Sequence, residues 1–134
     1  MKRALVIDDD ANVGSAIRSI LSRHKFETVL AVRAHAGLRA LEEAPFDVVI
    51  VDIFLPGMSG LDTIKTIRQM EPWLPIVAMT GLSLRSSQEP DGDFLKLAVQ
   101  RGATTFVRKP FAPQQLLQAI NTSLTKTRVG NGLS

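Results

Sequence analysis

The stretch Asp47–Gly60, DVVIVDIFLPGMSG, decides the fold. Val48, Val49, Ile50 and Val51 are apolar and β-branched with no polar alternation, the pattern of a strand covered on both faces. The run ends on Asp52, which places a carboxylate at the carboxyl end of that strand. In open α/β sheets this edge is where ligands bind, because the loops there splay apart. Leu55-Pro56-Gly57 then stops the strand and turns the chain. Taken alone, Asp52 reads equally as a turn or helix-capping aspartate. The other acids decide between the two.

Upstream, Ala4–Ile7 is a second apolar run, and it stops at Asp8-Asp9-Asp10. Val13, Ile17, Ile20 and Leu21 share a helical face behind it, with Asp10 or Asn12 as the N-cap. Thr28–Ala31 reads as a weaker strand and Ala36–Glu43 as a helix built on Leu38 and Leu41, closed by Pro45. Downstream, Leu61, Ile64 and Ile67 mark a third helix, and Pro75–Thr80 a fourth buried strand ending on a hydroxyl. Leu82–Gly92, LSLRSSQEPDG, is polar and turn-rich and predicts a mobile loop. A helix with Phe94, Leu97 and Ala98 inward follows and ends near Gly102. Thr104–Arg108 is a fifth strand running into Lys109-Pro110, and Leu116, Leu117, Ile120 and Leu124 line the last helix. Five rounds of βα alternation predict a doubly wound, five-stranded parallel sheet of flavodoxin-like (βα)5 form. The domain is expected to occupy residues 1–127, with 128–134 a flexible tail.

The totals agree with one soluble domain: 134 residues, 45% apolar and 22% charged. There is no cysteine, which excludes disulfides and thiolate metal sites and suits a reducing cytoplasm. No apolar run approaches the roughly 20 residues of a membrane span. The net charge of +3 is unevenly spread: residues 1–93 hold all thirteen Asp and Glu, whereas residues 94–134 hold six Lys and Arg and no acid.

The strand ends thus bring Asp8 and Asp9, Asp52, Thr80 and Lys109 to one edge. Clustered carboxylates repel one another, and the cluster is tolerable mainly with a cation among them. An oxygen-only donor set selects a hard ion such as Mg²⁺. A carboxylate beside such an ion, an ammonium and a hydroxyl has the parts needed to accept a phosphoryl group, with Asp52 attacking in line.

The motifs VIDDD at 6–10, VDIFLPGMSG at 51–60, AMTG at 78–81 and FVRKPF at 106–111 occur in that order. With them the chain resembles the receiver domain of bacterial two-component response regulators, most closely the single-domain, chemotaxis-regulator-like kind. The resemblance covers residues 3 to about 125. It implies Asp52 as phosphoacceptor and Asp9 as a direct Mg²⁺ ligand, with Asp8 acting through water. Asp52 itself and the backbone carbonyl of Phe54 complete the protein's share of the ion's ligands. Thr80 is implied as the switch hydroxyl, Lys109 as the phosphate-pairing lysine and Phe106 as the aromatic that packs inward when Thr80 moves. Asp10 lies beyond the family's acidic pair and caps the helix. A cis peptide is implied at Lys109–Pro110. Two departures stand out: Leu82–Gly92 is longer than the family's usual loop, and Phe106 replaces the commoner tyrosine.

The implied partners are a histidine kinase or histidine phosphotransfer protein as donor and a downstream target protein presenting an acidic patch. Neither membrane nor nucleic acid is expected as a partner, and the location implied is cytoplasmic. No output domain fits after Lys126, so output is expected by docking, and the protein catalyses only its own phosphorylation and dephosphorylation. The alternative is a degenerate receiver serving as a phosphorylation-independent scaffold. A haloacid-dehalogenase-type phosphatase needs a second acid two positions after the nucleophile, where Phe54 stands. An FMN-binding flavodoxin needs a hydroxyl-rich phosphate loop where Asp8-Asp9-Asp10 stands. No nucleotide P-loop occurs. His24 and His35 read as surface histidines, and Trp73 as loop packing.

Overall fold

The computed structural model describes residues 1–55, 57–81 and 91–133, and side-chain surroundings within these except at 91–95 and 127–133. Strands and helices alternate throughout: β1 (Lys2–Ile7), α1 (Ala11–Ser22), β2 (Phe26–Ala31), α2 (Ala34–Glu43), β3 (Val48–Asp52), α3 (Gly60–Met70), β4 (Ile76–Thr80), α4 (Asp91–Arg101), β5 (Thr105–Arg108) and α5 (Pro113–Leu133). The sheet is wholly parallel, in the order β2-β1-β3-β4-β5. That order reverses direction between β1 and β3, so the loops leaving their carboxyl ends diverge and open a crevice.

The unbroken apolar runs now have their reason. Leu5, Ile7, Val49, Val51, Ile76 and Ala78 enter the core layer that also holds Ile64, Ile67 and Ala98 of α3 and α4. Their neighbours Ala4, Val6, Val48, Ile50, Val77 and Met79 enter the opposite layer, closed by Ile17 and Leu21 of α1 and Leu116 and Ile120 of α5. A strand that feeds two cores cannot alternate with polar residues.

Asp10 is the N-cap of α1, its carboxylate accepting from Asn12 N at 2.9 Å. Ser59 caps α3 in the same way through Asp62 N, at 3.1 Å. Pro113 opens α5, where a missing N–H costs nothing, and Gln115 Oε1 reaches back to Ala112 N at 2.7 Å.

Three expectations need adjusting. Helix α4 begins at Asp91, so Asp91 and Asp93 lie within it and the acid-free stretch starts only after its first turn. An acid following Pro90 suits a helix amino terminus and its positive dipole end as well as it suits a turn. Residues 82–90 of the expected loop, and the side chain of Phe94, lie outside the described residues. The backbone of α5 runs on as helix through Leu133, past the point where the apolar stripe ends. Once a helix is started, each further residue adds a hydrogen bond at little cost, so the stripe does not set its length. Trp73 is exposed, not packed into its loop. His24 and His35 lie at the surface, as expected.

The expected stripe on α5 is also uneven, since Leu116 is fully buried while Leu117 is only half-buried. Leu116→Ala should therefore lower stability by about 2–5 kcal/mol, as for other buried leucines that leave a cavity. Leu117→Ala should cost less than half as much, and the urea midpoints of the two variants compare them directly.

Candidate functional site

Parallel register sets the site. Ile7 lies beside Val51, and Asp52 beside Met79, so Asp8, Asp52 and Thr80 emerge next to one another at the crevice. Arg108 pairs with Thr80, and the following Lys109 N–H donates to Thr80 O at 2.7 Å. That contact ties the end of β5 to the end of β4. The Lys109–Pro110 peptide is cis.

Each side chain has a defined place. Asp8 is 2% exposed and Asp52 5%. Carboxylate oxygens of Asp8, Asp9 and Asp52 all lie within 4.8 Å of one another. The Lys109 ammonium donates to Asp8 Oδ2 at 2.6 Å and to Asp52 Oδ2 at 3.0 Å. The second oxygen of Asp8 accepts from Asp10 N, and that of Asp52 from Phe54 N, each at 2.9 Å. Asp8 is thus engaged at both oxygens, whereas Asp9 stands exposed to solvent.

These surroundings perturb the charged groups. Burial pushes the Asp52 carboxyl above its ordinary range and outweighs the Phe54 N–H and the Lys109 ammonium, which both pull it down; Asp8 adds to the rise. Burial also opposes charge on Lys109. The hydrogen bond to Asp8, with the charge and hydrogen bond of Asp52, outweighs that, so the lysine ends above its ordinary value. It is a full cation at neutral pH.

Thr80 is buried, and its hydroxyl oxygen has no hydrogen-bond partner. A buried hydroxyl left unsatisfied beside a polar crevice is costly, and an incoming oxygen would relieve it. Phe106 is 44% exposed on β5, outside the core. The donor set fits a hard divalent cation: three carboxylates converge with no nitrogen or sulfur ligand, and one ammonium only partly offsets them.

Gly60 is a site residue whose role lay beyond the sequence reading. A Cβ there would be driven into Ile53 Cα and the carbonyl of Asp52. Only glycine lets the first turn of α3 pass so close to the backbone that carries Asp52, and its N–H donates to Ile53 O at 3.1 Å. The residue stands inside the opening motif, but its reason is visible only in the packing.

A doubly wound domain with an acidic, cation-ready pocket at its switch point is the class these features define. A family model described as response regulator receiver domain matches residues 4–121. The chain belongs to that family. It is 30% identical to the DNA-binding response regulator MtrA of Mycolicibacterium paratuberculosis over 93% of its own length and 52% of that protein. It thus spans about half the length of that relative. It is also 30% identical to chemotaxis protein CheY of Thermotoga maritima, over 90% of this chain and 95% of that protein. A crystal structure of a response regulator receiver domain protein from Clostridium thermocellum superposes with a TM-score of 0.83 at 30% identity, covering 96% of this chain and 98% of that one. Among the described residues no helix is long and apolar enough to cross a membrane.

The raised Asp52 value has a consequence for stability. A carboxyl that binds its proton more tightly folded than unfolded favours folding at low pH, and that contribution is lost as pH rises through the folded value. Ionised Asp52 therefore opposes folding at neutral pH, while Lys109 retains Asp8 as partner if Asp52 is removed. In the absence of divalent metal, Asp52→Asn should raise the melting temperature at pH 7 by a few degrees, roughly 1 kcal/mol or less. The gain should shrink as pH falls toward the ordinary carboxyl value of 3.8. A variant less stable than its parent at pH 7 would contradict the sign.

Proposed function

We propose that the protein is a phosphorylation switch that accepts a phosphoryl group on Asp52 from a phosphohistidine donor, a histidine kinase or a histidine phosphotransfer protein. The observation that carries this reading is the convergence of Asp8, Asp9 and Asp52 with Lys109 bonded to two of them, beside a buried Thr80 hydroxyl that lacks a partner. Membership in the receiver family supports it. A degenerate receiver used only as a scaffold would have no need to keep all five groups together.

In the proposed reaction an Asp52 oxygen attacks phosphorus in line. The phosphorus–nitrogen bond of the donor breaks, and the imidazole leaves and takes up a proton. Asp9, Asp52 and the Phe54 carbonyl would hold Mg²⁺, with Asp8 reaching it through water, because both Asp8 oxygens already have partners. Bound there, the ion would neutralise charge on the transferring group. Lys109, already a cation between the carboxylates, pairs with a phosphoryl oxygen, and Thr80 donates its hydroxyl to another. Withdrawal of Thr80 toward that oxygen frees space into which Phe106 turns from its exposed position. The acyl phosphate is later lost by hydrolysis at the same pocket. The whole cycle is cytoplasmic, where such donors act.

Output in this reading is by docking on the face of α4, β5 and α5. A groove of about 730 Å³ lies there, lined by Val99, Phe106, Arg108, Gln115, Ala119 and Lys126 among others. Val99 and Phe106 are the exposed apolar residues of that face among those described. Lys96 and Lys126 are exposed and Arg101 half-buried on the same elements, so the fitting target is a protein segment with acidic residues around an apolar anchor. Scattered cations without stacking aromatics or a reading helix fit nucleic acid poorly.

Incubation with acetyl phosphate and Mg²⁺ should add one phosphoryl mass to the intact protein, and Asp52→Asn should abolish the addition. A stable aspartyl phosphate on the variant would place the acceptor elsewhere.

Target binding should strengthen with phosphorylation and weaken with salt, mainly through slower encounter. Lys96→Glu with Arg101→Glu should remove it without changing the rate at which Asp52 is phosphorylated. Binding that survives both changes and ignores salt would move the interface off this face.

A further inference from the structure

The carboxyl end of α4 is held in a way that nothing in the pocket requires. Arg68, on the last turn of α3, divides its donors between that end and the end of its own helix. Its Nε and Nη2 donate to Gly102 O at 3.2 and 2.7 Å, and Nη1 donates to Glu71 O at 3.1 Å and Pro72 O at 2.9 Å. Nη2 also reaches Thr104 Oγ1 at 3.5 Å, the weakest of the set. Its acceptors are neutral oxygens just beyond the carboxyl ends of α3 and α4, where carbonyls lack helical partners and the dipoles turn negative. Burial holds the guanidinium below its ordinary value, a cost that no carboxylate among the described contacts offsets.

Gly102 completes the lock. It takes φ of 125°, and its N–H donates to Ala98 O at 3.1 Å and Val99 O at 3.0 Å, while Ala103 N donates to Ala98 O at 2.9 Å. This is a Schellman ending with glycine at the position after the cap. A Cβ on Gly102 would lie 2.9–3.0 Å from Cγ, Cβ and Nε of Arg68, so glycine is also what lets the arginine lie across the helix end. Thr104 then joins the start of β4, its N–H donating to Ile76 O at 2.7 Å and its hydroxyl accepting from Ile76 N at 3.2 Å. The other end of α4 is reached through the chain that leaves β4 at Thr80. One strand therefore meets the locked end of α4 at Ile76 and leads to its amino end from Thr80.

We propose that Arg68 and Gly102 form the fixed pivot of the switch, about which α4 turns when the state of the pocket changes. This rests on Asp52 being the phosphoacceptor. With a rise of about 1.5 Å per residue, Val99 lies about 4.5 Å from Gly102 and Asp91 about 16 Å. A rotation about the pivot thus moves the first turn of α4 roughly three to four times as far as it moves Val99. The groove wall at Val99 is tilted while staying in place, so a docked segment keeps its anchor site in both states and senses the angle of α4. Arginine is needed for this. A lysine has a single head and cannot reach two helix ends and Thr104 at once.

The test is amide hydrogen exchange on the whole chain, with Mg²⁺, in the presence and absence of beryllofluoride as phosphoryl mimic. Fluorine NMR of the bound mimic reports loading independently. On loading, amides 102–104 should keep their protection within about threefold, while amides 95–97 change by about tenfold or more. In Arg68→Met, loading should persist, protection at 102–104 should fall about tenfold, and loading should then alter both ends of α4 alike. Arg68→Lys should behave as Arg68→Met does. A loaded parent protein in which both ends of α4 change equally overturns the pivot alone, as does an Arg68→Met variant that keeps the contrast between them. If the variant does not fold, the parent's two ends still decide. No bound mimic on the parent overturns the phosphoacceptor reading, and the pivot's role falls with it.

Discussion

Between Asp8 and Asp52 stands one ammonium, that of Lys109, at 2.6 and 3.0 Å. Two nearly buried carboxylates so close would repel strongly in a medium less polarisable than water, and the lysine between them offsets part of that repulsion. The three partners come from β1, β3 and the end of β5. Their meeting therefore depends on the whole register of the sheet, and a slip of one residue would turn the carboxylate of β1 or β3, or the ammonium at the end of β5, away from the crevice. The compensation is incomplete. One ammonium against three carboxylates leaves two negative charges in the cluster, and burial raises Asp52 despite its neighbours. That residual charge is what a divalent cation would neutralise, and a doubly charged phosphoryl group could then approach without meeting bare carboxylates.

The crevice exists because the strand order reverses between β1 and β3. The chain leaves β1 for one face of the sheet and leaves β3 for the other, since α1 and α3 close opposite cores. The connections that leave these two strands therefore diverge. The two apolar layers are what make this arrangement stable, and they also explain why the acids are confined to strand ends: every interior strand position from Val48 to Val51 is committed to one core or the other. Function is placed at the first positions where a carboxylate can be tolerated.

Much of this could be read from the residue order, for physical reasons. Runs such as Val48–Val51 and Ile76–Met79 have no polar member, so their strand character and burial were plain, and the residues that end them had to share an edge. Asp10 and Asn12 both stand where a cap is expected before an apolar helical face, and Asp10 is the one that takes the place. The start of α4 was hidden because Asp91 and Gly92 after Pro90 serve a turn as well as a helix amino end. The length of α5 was hidden because helix propagation past a packed stripe leaves no mark in the apolar pattern. The partners of Arg68 lie up to 36 residues away and are mostly backbone carbonyls, so no pairing of residue types betrays them. Gly60 stood in view, but the closeness of α3 to the Asp52 peptide is a matter of three-dimensional approach.

Strand β5 runs directly from the groove to the pocket. Phe106 and Lys109 are three residues apart at the end of β5, and at about 3.3 Å per residue the aromatic ring and the ammonium are carried by backbone about 10 Å apart. Between them Arg108 pairs in register with Thr80, and the Lys109 N–H holds the Thr80 carbonyl. Any shift of the Thr80 backbone must therefore be shared by β5, while a shift of its unpartnered hydroxyl alone need not be. Only a ligand that draws the hydroxyl far enough to carry the backbone with it would be felt at Phe106. Such a threshold separates a phosphoryl group, fixed by covalent attachment to Asp52, from a small anion passing through the crevice.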